Sequence, residues 1–541
     1  MEIKGKITDV IKKTVFPGKI VVEDGRIKKI IPEKKVPDRY ILPGFVDAHV
    51  HIESSMLTPV RFAELAIRQG TLAVVTDPHE IANVLGREGL VFMKKEAGRT
   101  PMKIKFGIPS CVPATPFETS GAVISAKDVE MLMREDPSMH LSEMMNYPGV
   151  VYGDEEVMKK LEVAKKYGRV IDGHAPGLTG EDLEKYVAAG VMTDHECTDI
   201  EEAREKIAKG MKILIREGSA AKNFEELLPL IGEYPGEVMF CTDDTHPDDL
   251  VERHIRDLAK RALQKGYDIW DVLTAAVLTP VKFYSPGMGL LQEGDPADFI
   301  IADDLKDLEI KEAYINGEKV YDGKRVKAGT PGGDEPNRFV EKTISAEDVR
   351  IPAQEGKRIR VITAKDGSLV TGEMIAVPKT EEGMVVPDTA RDLLKIVVMN
   401  RYMEGTKPVC GFIHGFGLKR GAIAGSIAHD SHNVIAVGTD DLSIVKAVNA
   451  IFEAKGGIAV ADGEEVTVLA LPVAGLMTNK EGIVVAEKYS EMNARAKELG
   501  IGLEAPFMTL SFMALLVIPE LKIGDQGLFD VRKFGFTELF I

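Results

Sequence analysis

The stretch YILPGFVDAHVHIESSM, Tyr40 to Met56, is an apolar run broken by Pro43 and Gly44 that turns polar at Glu53. It reads as a buried strand ending in a loop. Residues i and i+2 of a strand face the same side, so His49 and His51 project together at its C-terminal end. Two imidazoles converging there suit a divalent metal. A histidine pair on an exposed edge strand would carry no such meaning. What decides between the two readings is what the other strands end in.

Short apolar runs alternate with amphipathic segments after this strand. TLAVVTDPHE, MKIKFGIPS, GVVYGDEE, GRVIDGHAPG, AGVMTDHECT, MKILIREGS and GEVMFCTDDTHP follow in order. With the first strand these make eight β units joined by helical segments such as EEVMKKLEVAKKYG and TGEDLEKYVAAG, the pattern of a (β/α)8 barrel. A doubly wound open sheet is the alternative, but no GxGxxG opens a helix to support it. In such a barrel the chemistry sits at the C-terminal ends of the strands. Here those ends carry His49 and His51, then Asp77, His79 and Glu80, then Asp154, Glu155 and Glu156. His174, Asp194, His195, Glu196, Arg216, Glu217, Asp243, Asp244 and His246 follow in the same positions. One histidine at a strand end is commonly structural; the repetition points to a metal-dependent hydrolase.

Length and composition set the bounds. A chain of 541 residues should divide into two or three domains. Its hydrophobic fraction of 44% is that of a soluble globular protein. The most apolar stretch, APFMTLSFMALLVIP, is too short to span a bilayer, and no secretory leader pattern opens the chain. A net charge of −17 argues against nucleic acid and favours a neutral or cationic small molecule. Four cysteines without CxxC spacing suit a reducing cytoplasm. Abundant Lys and Glu with scarce Gln hint at a thermophilic source.

We expect residues 43–282 to form the barrel, and residues 1–42 and 283–327, both β-rich, to form one small sheet domain from its two flanks. In the first flank Asp24-Gly25 reads as a hairpin turn. AGTPGGDEPNR, 328–338, reads as a linker, and residues 339–541 as a C-terminal α/β domain.

The order HxH, His, His, Asp on strands one, five, six and eight resembles the amidohydrolase superfamily. PGFVDAHVHIESSM, DPHEIANV, MNYPGV, DGHAPG, DHE, REGS, GFGLKRGAIAGSIAHDSHNVIAVGT and PFMTLSFMALLVIPEL resemble, more closely, its adenine deaminase family, over nearly the whole chain. That resemblance implies hydrolytic deamination of adenine in purine salvage at a centre of two divalent ions. His49, His51 and Asp243 would hold one ion, and His174 and His195 the other. Many relatives bridge the pair with a carbamylated lysine on strand four; GVVYGDEE offers none, and the family pattern uses a glutamate. Glu156 is chosen over Glu155 because D-x-E spacing puts it on the face of Asp154. One departure is visible, Thr245 where the family often has arginine in TDDRHP.

Hydrolysis at C6 of a purine needs hydroxide at neutral pH, which two ions sharing a water can provide. Asp243 would carry the proton to departing ammonia, and Glu196, Glu217 or Asp244 would protonate N1. Histidine and carboxylate ligands without cysteine suit Mn(II) or Fe(II), with Zn(II) also fitting. The zinc deaminase signature with PCxxC is absent. His79 and Glu80 could hold a further ion, shape the pocket or only cap a loop, and His246 sits beside the strand-eight pair. AHDSHN, with His429 and His432, follows a glycine-rich loop carrying His414; it either satisfies its own backbone or lines the active site, from its own or a neighbouring subunit. A homo-oligomer is expected, with adenine as the small-molecule partner and neither nucleic acid nor membrane. The competing functions are a cyclic-amide or N-acyl hydrolase of the dihydroorotase or hydantoinase kind, and a catalytically dead scaffold.

Overall fold

The computed structural model describes all 541 residues. Eight parallel strands follow in chain order around a barrel: Phe45–Val50, Thr71–Thr76, Lys103–Ile108, His140–Met144, Ile171–Gly173, Thr193–Asp194, Lys212–Arg216 and Val238–Cys241. The first and last close on each other through Asp243 N to His49 O at 2.9 Å and His51 N to Asp243 O at 3.2 Å. The amphipathic segments lie between them as helices, including Pro59–Arg68 and Gly180–Ala188.

The fourth strand is not where the sequence reading put it. GVVYGDEE looks extended because of Val150, Val151 and Tyr152, yet local capping makes it helical. Asn146 Oδ1 accepts Gly149 N at 2.9 Å, Pro148 stands in the first turn of helix Tyr147–Tyr152, and Gly153 closes it in the left-handed region. Asp154 then caps helix Glu155–Lys166, accepting Glu156 N and Val157 N at 3.0 and 2.9 Å. Glu155 and Glu156 are first-turn acidic residues facing solvent, a position the helix dipole favours. Glu156 accepts Ala126 N at 2.6 Å outside the barrel and is no bridge between metals. The true strand is HLSEM, and its C-terminal carboxylate is Glu143.

The two flanks build one seven-stranded sheet, in which Phe299–Ala302 pairs with Tyr40–Pro43. Asp24 and Gly25, both at positive φ, make the Glu23–Arg26 hairpin turn. Helix Thr279–Tyr284 lies against the barrel, and Tyr284 OH donates to Asp172 at 2.8 Å. Beyond an extended strap, whose Asn337 Nδ2 reaches Lys455 O at 2.7 Å, stands an eight-stranded mixed sheet with helices Asp441–Ala454 and Gly482–Glu498. One continuous apolar cluster joins barrel residues such as Val46 and Ile108 to Ile413, Leu476 and Phe507 of this C-terminal unit. The apolar stretch around Met508 folds as a buried helix, Pro506–Ser511, against the barrel's C-terminal end, and no helix is long and apolar enough to cross a membrane.

Candidate active site

Buried carboxylates brace the strand ends. Asp47 accepts Thr242 N at 3.1 Å and meets His254 Nε2 at 3.2 Å, tying strand one to strand eight. Asp172 pairs with His140 Nε2 at 3.0 Å, and Asp194 pairs with Lys206 Nζ at 3.0 Å while accepting Ala175 N at 2.8 Å. Asp194 is therefore a brace, not a member of the cluster that its neighbour His195 joins.

Glu143 is the centre of that cluster. Its Oε1 lies 3.3 Å from His51 Nε2 and 3.4 Å from His79 Nδ1; its Oε2 lies 2.8 Å from His174 Nδ1 and 3.2 Å from His195 Nε2. Asp243 approaches from strand eight, with Oδ1 3.0 Å from His51 Nε2 and 3.5 Å from His49 Nε2. Its φ of 55°, rare for a residue other than glycine, is what turns the side chain inward between His49 and His51. His49 stacks on His195 with ring centroids 4.2 Å apart.

The donor set asks for cations. His49 Nε2 and His51 Nε2 face each other at 3.2 Å, where two lone pairs repel unless a proton or a metal ion stands between them. His174 Nε2 is buried without a partner. Ligand atoms of His49, His51 and Glu143, of Glu143, His174 and His195, and of His49, His195 and Asp243 lie within 4.8 Å of one another in each set. Two sets sharing Glu143 fit a pair of divalent ions bridged by a carboxylate, with no thiolate to favour a softer metal.

The charges are strongly coupled. Burial pushes the Glu143 carboxyl up, but hydrogen bonds from His174, His195 and His51 outweigh it and hold it well below the carboxylate range. Burial disfavours the His195 cation too, yet Glu143 and Asp243 raise it to about 9. Asp243 is held well below its usual value against burial, chiefly by Arg216, whose Nη1 is 2.7 Å from Asp243 Oδ2. Arg216 also grips Glu196, with Nη2 to Oε2 at 3.0 Å. A buried guanidinium thus fixes two acidic side chains at one edge of the cluster.

His51, Glu143, His174, His195, Glu196 and Asp243 line a chamber of about 20 Å³, room for roughly one water. Its apolar side is Met145 from the barrel and Leu369, Phe512, Leu515 and Ile518 from the C-terminal unit. Glu196, Leu369 and Ile518 also border an outer vestibule of about 320 Å³.

His79 lines the chamber, and Glu80 lies behind it, 3.9 Å from His429 Nδ1. His429 lines the chamber from AHDSHN and stacks on Phe512, centroids 4.3 Å apart. Asp244 faces the chamber and accepts Ser54 Oγ at 2.5 Å. Three expected residues lie elsewhere. Glu217 is taken by Arg261 Nη1 at 2.8 Å, and His246 is bonded to Tyr489 OH among residues lining separate cavities. His432 is buried behind His429 with neither ring nitrogen bonded. Thr245 is buried, its Oγ1 3.3 Å from Thr242 O. Sequence reasoning missed Glu143 at the centre of the cluster and Arg216 as the partner of Glu196 and Asp243. The signal for Glu143 was the run HLSEM before Asn146 and Pro148, a strand followed by a helix start.

Residues 40–320 match the family described as amidohydrolase family, and residues 368–535 match the adenine deaminase C-terminal domain. The chain is 54% identical over 548 residues to adenine deaminase of Methanosarcina mazei, covering 99% of each protein. It is 50% identical over 540 residues to that of Salinibacter ruber, covering 100% of this chain and 99% of the relative. To that of Borreliella burgdorferi it is 43% identical over 548 residues, covering 99% of each.

Proposed function

The chain belongs to the adenine deaminase family of amidohydrolases, and on that premise we propose that it hydrolyses adenine to hypoxanthine and ammonia, a step of purine salvage, at the Glu143-centred cluster. The observation that carries this reading is the convergence of His51, His174, His195 and Glu143 with Asp243 at the C-terminal end of the barrel. Divalent ions held by the two donor sets would acidify a water and so supply the nucleophile; Mn(II) or Fe(II) is our assignment from the mixed nitrogen and oxygen ligands, with Zn(II) compatible.

The chain's own residues divide the remaining work. Asp243 takes the proton released as the water attacks C6 and returns it to the departing amine. Arg216 fixes Asp243 and Glu196 in place. Glu196, held by Arg216 as an anion, is suited to accept a hydrogen bond from the base where chamber and vestibule meet. Glu217, committed to Arg261, drops out as the donor to N1. Asp244 suits that role for a reason of hydrogen counting. Ser54 Oγ lies 2.7 Å from Glu80 Oε1 and 2.5 Å from Asp244 Oδ1, yet one hydroxyl carries one hydrogen. One of the two carboxyls must therefore bring a proton, and burial raises that of Glu80. Glu80, Ser54 and Asp244 form a short relay ending at the chamber. Phe512, Leu369 and Ile518 supply apolar surface for a flat base. Four free cysteines support a reducing cytoplasm, and a homo-oligomer is our assembly assignment.

Purified protein reconstituted with Mn(II) or Fe(II) is expected to release ammonia and hypoxanthine from adenine and to turn over adenosine poorly. Opening of hydantoins or dihydropyrimidines without ammonia release from adenine would replace this reading with a cyclic-amide hydrolase.

A further inference from the structure

The chamber holds about 20 Å³, whereas ligand sites commonly run to about 300 Å³ or more. A purine can enter only if part of the wall gives way. The barrel side cannot yield easily, because its polar groups are locked to one another. The wall shared with the vestibule is Glu196, Leu369 and Ile518, and two of these three come from the C-terminal unit. Leu369 lies just before strand Gly372–Ala376, and Phe512 lies at the end of helix Pro506–Ser511.

One side chain bonds to both of these segments. Lys522, on strand Leu521–Gly524, is fully buried, and its Nζ donates to Leu369 O at 2.9 Å and to Phe512 O at 3.0 Å. It forms no ion pair, and burial alone pushes it down to about 7. A buried amine without a counter-charge adds nothing to the core that an apolar chain of equal length would not supply better. What it does that a methionine could not is bond two backbone carbonyls from segments far apart in sequence. Thr371 strengthens the same junction, with its Oγ1 2.9 Å from Leu521 O and its N 2.9 Å from Pro519 O.

We propose that Lys522 is a positioning residue for substrate binding: by tying the carbonyls of Leu369 and Phe512 to one amine it sets the resting height of the chamber's roof. The proposal rests on adenine being the substrate, so the test carries one readout that does not. Lys522→Met keeps chain length and removes both bonds. Without substrate, hydrogen exchange in the segments around residues 367–371 and 512–518 should accelerate about tenfold over wild type, with exchange in the barrel strands and metal content unchanged. With adenine, KM should rise about tenfold while kcat stays within threefold, and Lys522→Arg, which keeps two donors, should restore KM to within threefold of wild type. Unchanged exchange in both roof segments overturns the pinning whatever the substrate. Accelerated exchange with an unchanged KM in an enzyme that deaminates adenine overturns the role in substrate binding. If wild type does not act on adenine, the proposed function fails and the exchange result alone decides the pinning. If both variants fail to fold, Lys522 is a core residue and the proposal falls.

Discussion

The floor and the roof of the chamber are built by opposite means. On the barrel side every wall residue is polar except Met145, and each is locked to its neighbours: Glu143 alone lies within 3.4 Å of four imidazoles. On the C-terminal side Leu369, Phe512, Leu515 and Ile518 form an apolar roof beside His429 and Asp430, and the backbone carbonyls of Leu369 and Phe512 are bound to Lys522. The floor is a charge network in which each group depends on the others, so removing one leaves buried charge uncompensated. The apolar part of the roof carries no such ion pairs and can shift at smaller cost. Chemistry calls for the first kind of construction and admission of a flat base for the second.

Substitutions should reproduce that contrast. Asp243→Asn keeps an oxygen that could coordinate but removes the carboxylate to which we assign the proton transfer, and kcat should fall by at least ~10²-fold with metal largely retained. Near-normal kcat in the fully metallated variant takes Asp243 out of the chemical step. Lys206→Met tests the braces, because it strands Asp194 as an unpaired buried carboxylate and should cost about 3–5 kcal/mol in denaturant unfolding at pH 7. Asp194 in wild type is depressed, against burial, chiefly by Lys206. Its contribution is therefore present above the unfolded carboxyl value of about 3.9 and is lost as pH falls through the folded one. The stability gap between wild type and Lys206→Met should accordingly narrow below about pH 4; a gap constant from pH 7 to pH 3 contradicts the pairing. Ser54→Ala breaks the relay to Asp244 and should lower kcat by about tenfold at unchanged metal content, less than the loss for a proton-transfer group itself. An equal loss on Asp243→Asn and Ser54→Ala would erase the distinction between the group and its supply line. Glu156→Gln, on the outer helix, should leave kcat and KM within twofold.

How much of this is written in the sequence differs between the same two regions. HVH at 49–51 and the histidines at 174 and 195 announce themselves, because each follows a short apolar run and the periodicity of strands is simple. The fourth strand is harder to see, because HLSEM has one strongly apolar position fewer than GVVY and the capping residues Asn146, Gly153 and Asp154 override β-branched propensity. Reading GVVYGDEE as the fourth strand put its acidic end thirteen positions too far along, from Glu143 to Glu156 on an exposed helix. Roles that arise from pairing across the barrel, such as Arg216 with Glu196 or Glu217 with Arg261, depend on which way a strand end turns, and no local spacing encodes that. His429 could be suspected from AHDSHN, but Lys522 could not: a lone lysine in a short strand looks like a surface residue until three segments close around it.

The central claim is that Glu143, and not the acidic pair after Gly153, joins two metal sites into one centre. Metal analysis of apo-enzyme reconstituted with Mn(II), dialysed and measured beside Glu143→Gln and Glu156→Gln, tests it most directly. We expect two ions per chain in wild type and in Glu156→Gln, and one or none in Glu143→Gln, with deamination lost in step. Two tightly held ions in Glu143→Gln, or loss of an ion in Glu156→Gln, would contradict it.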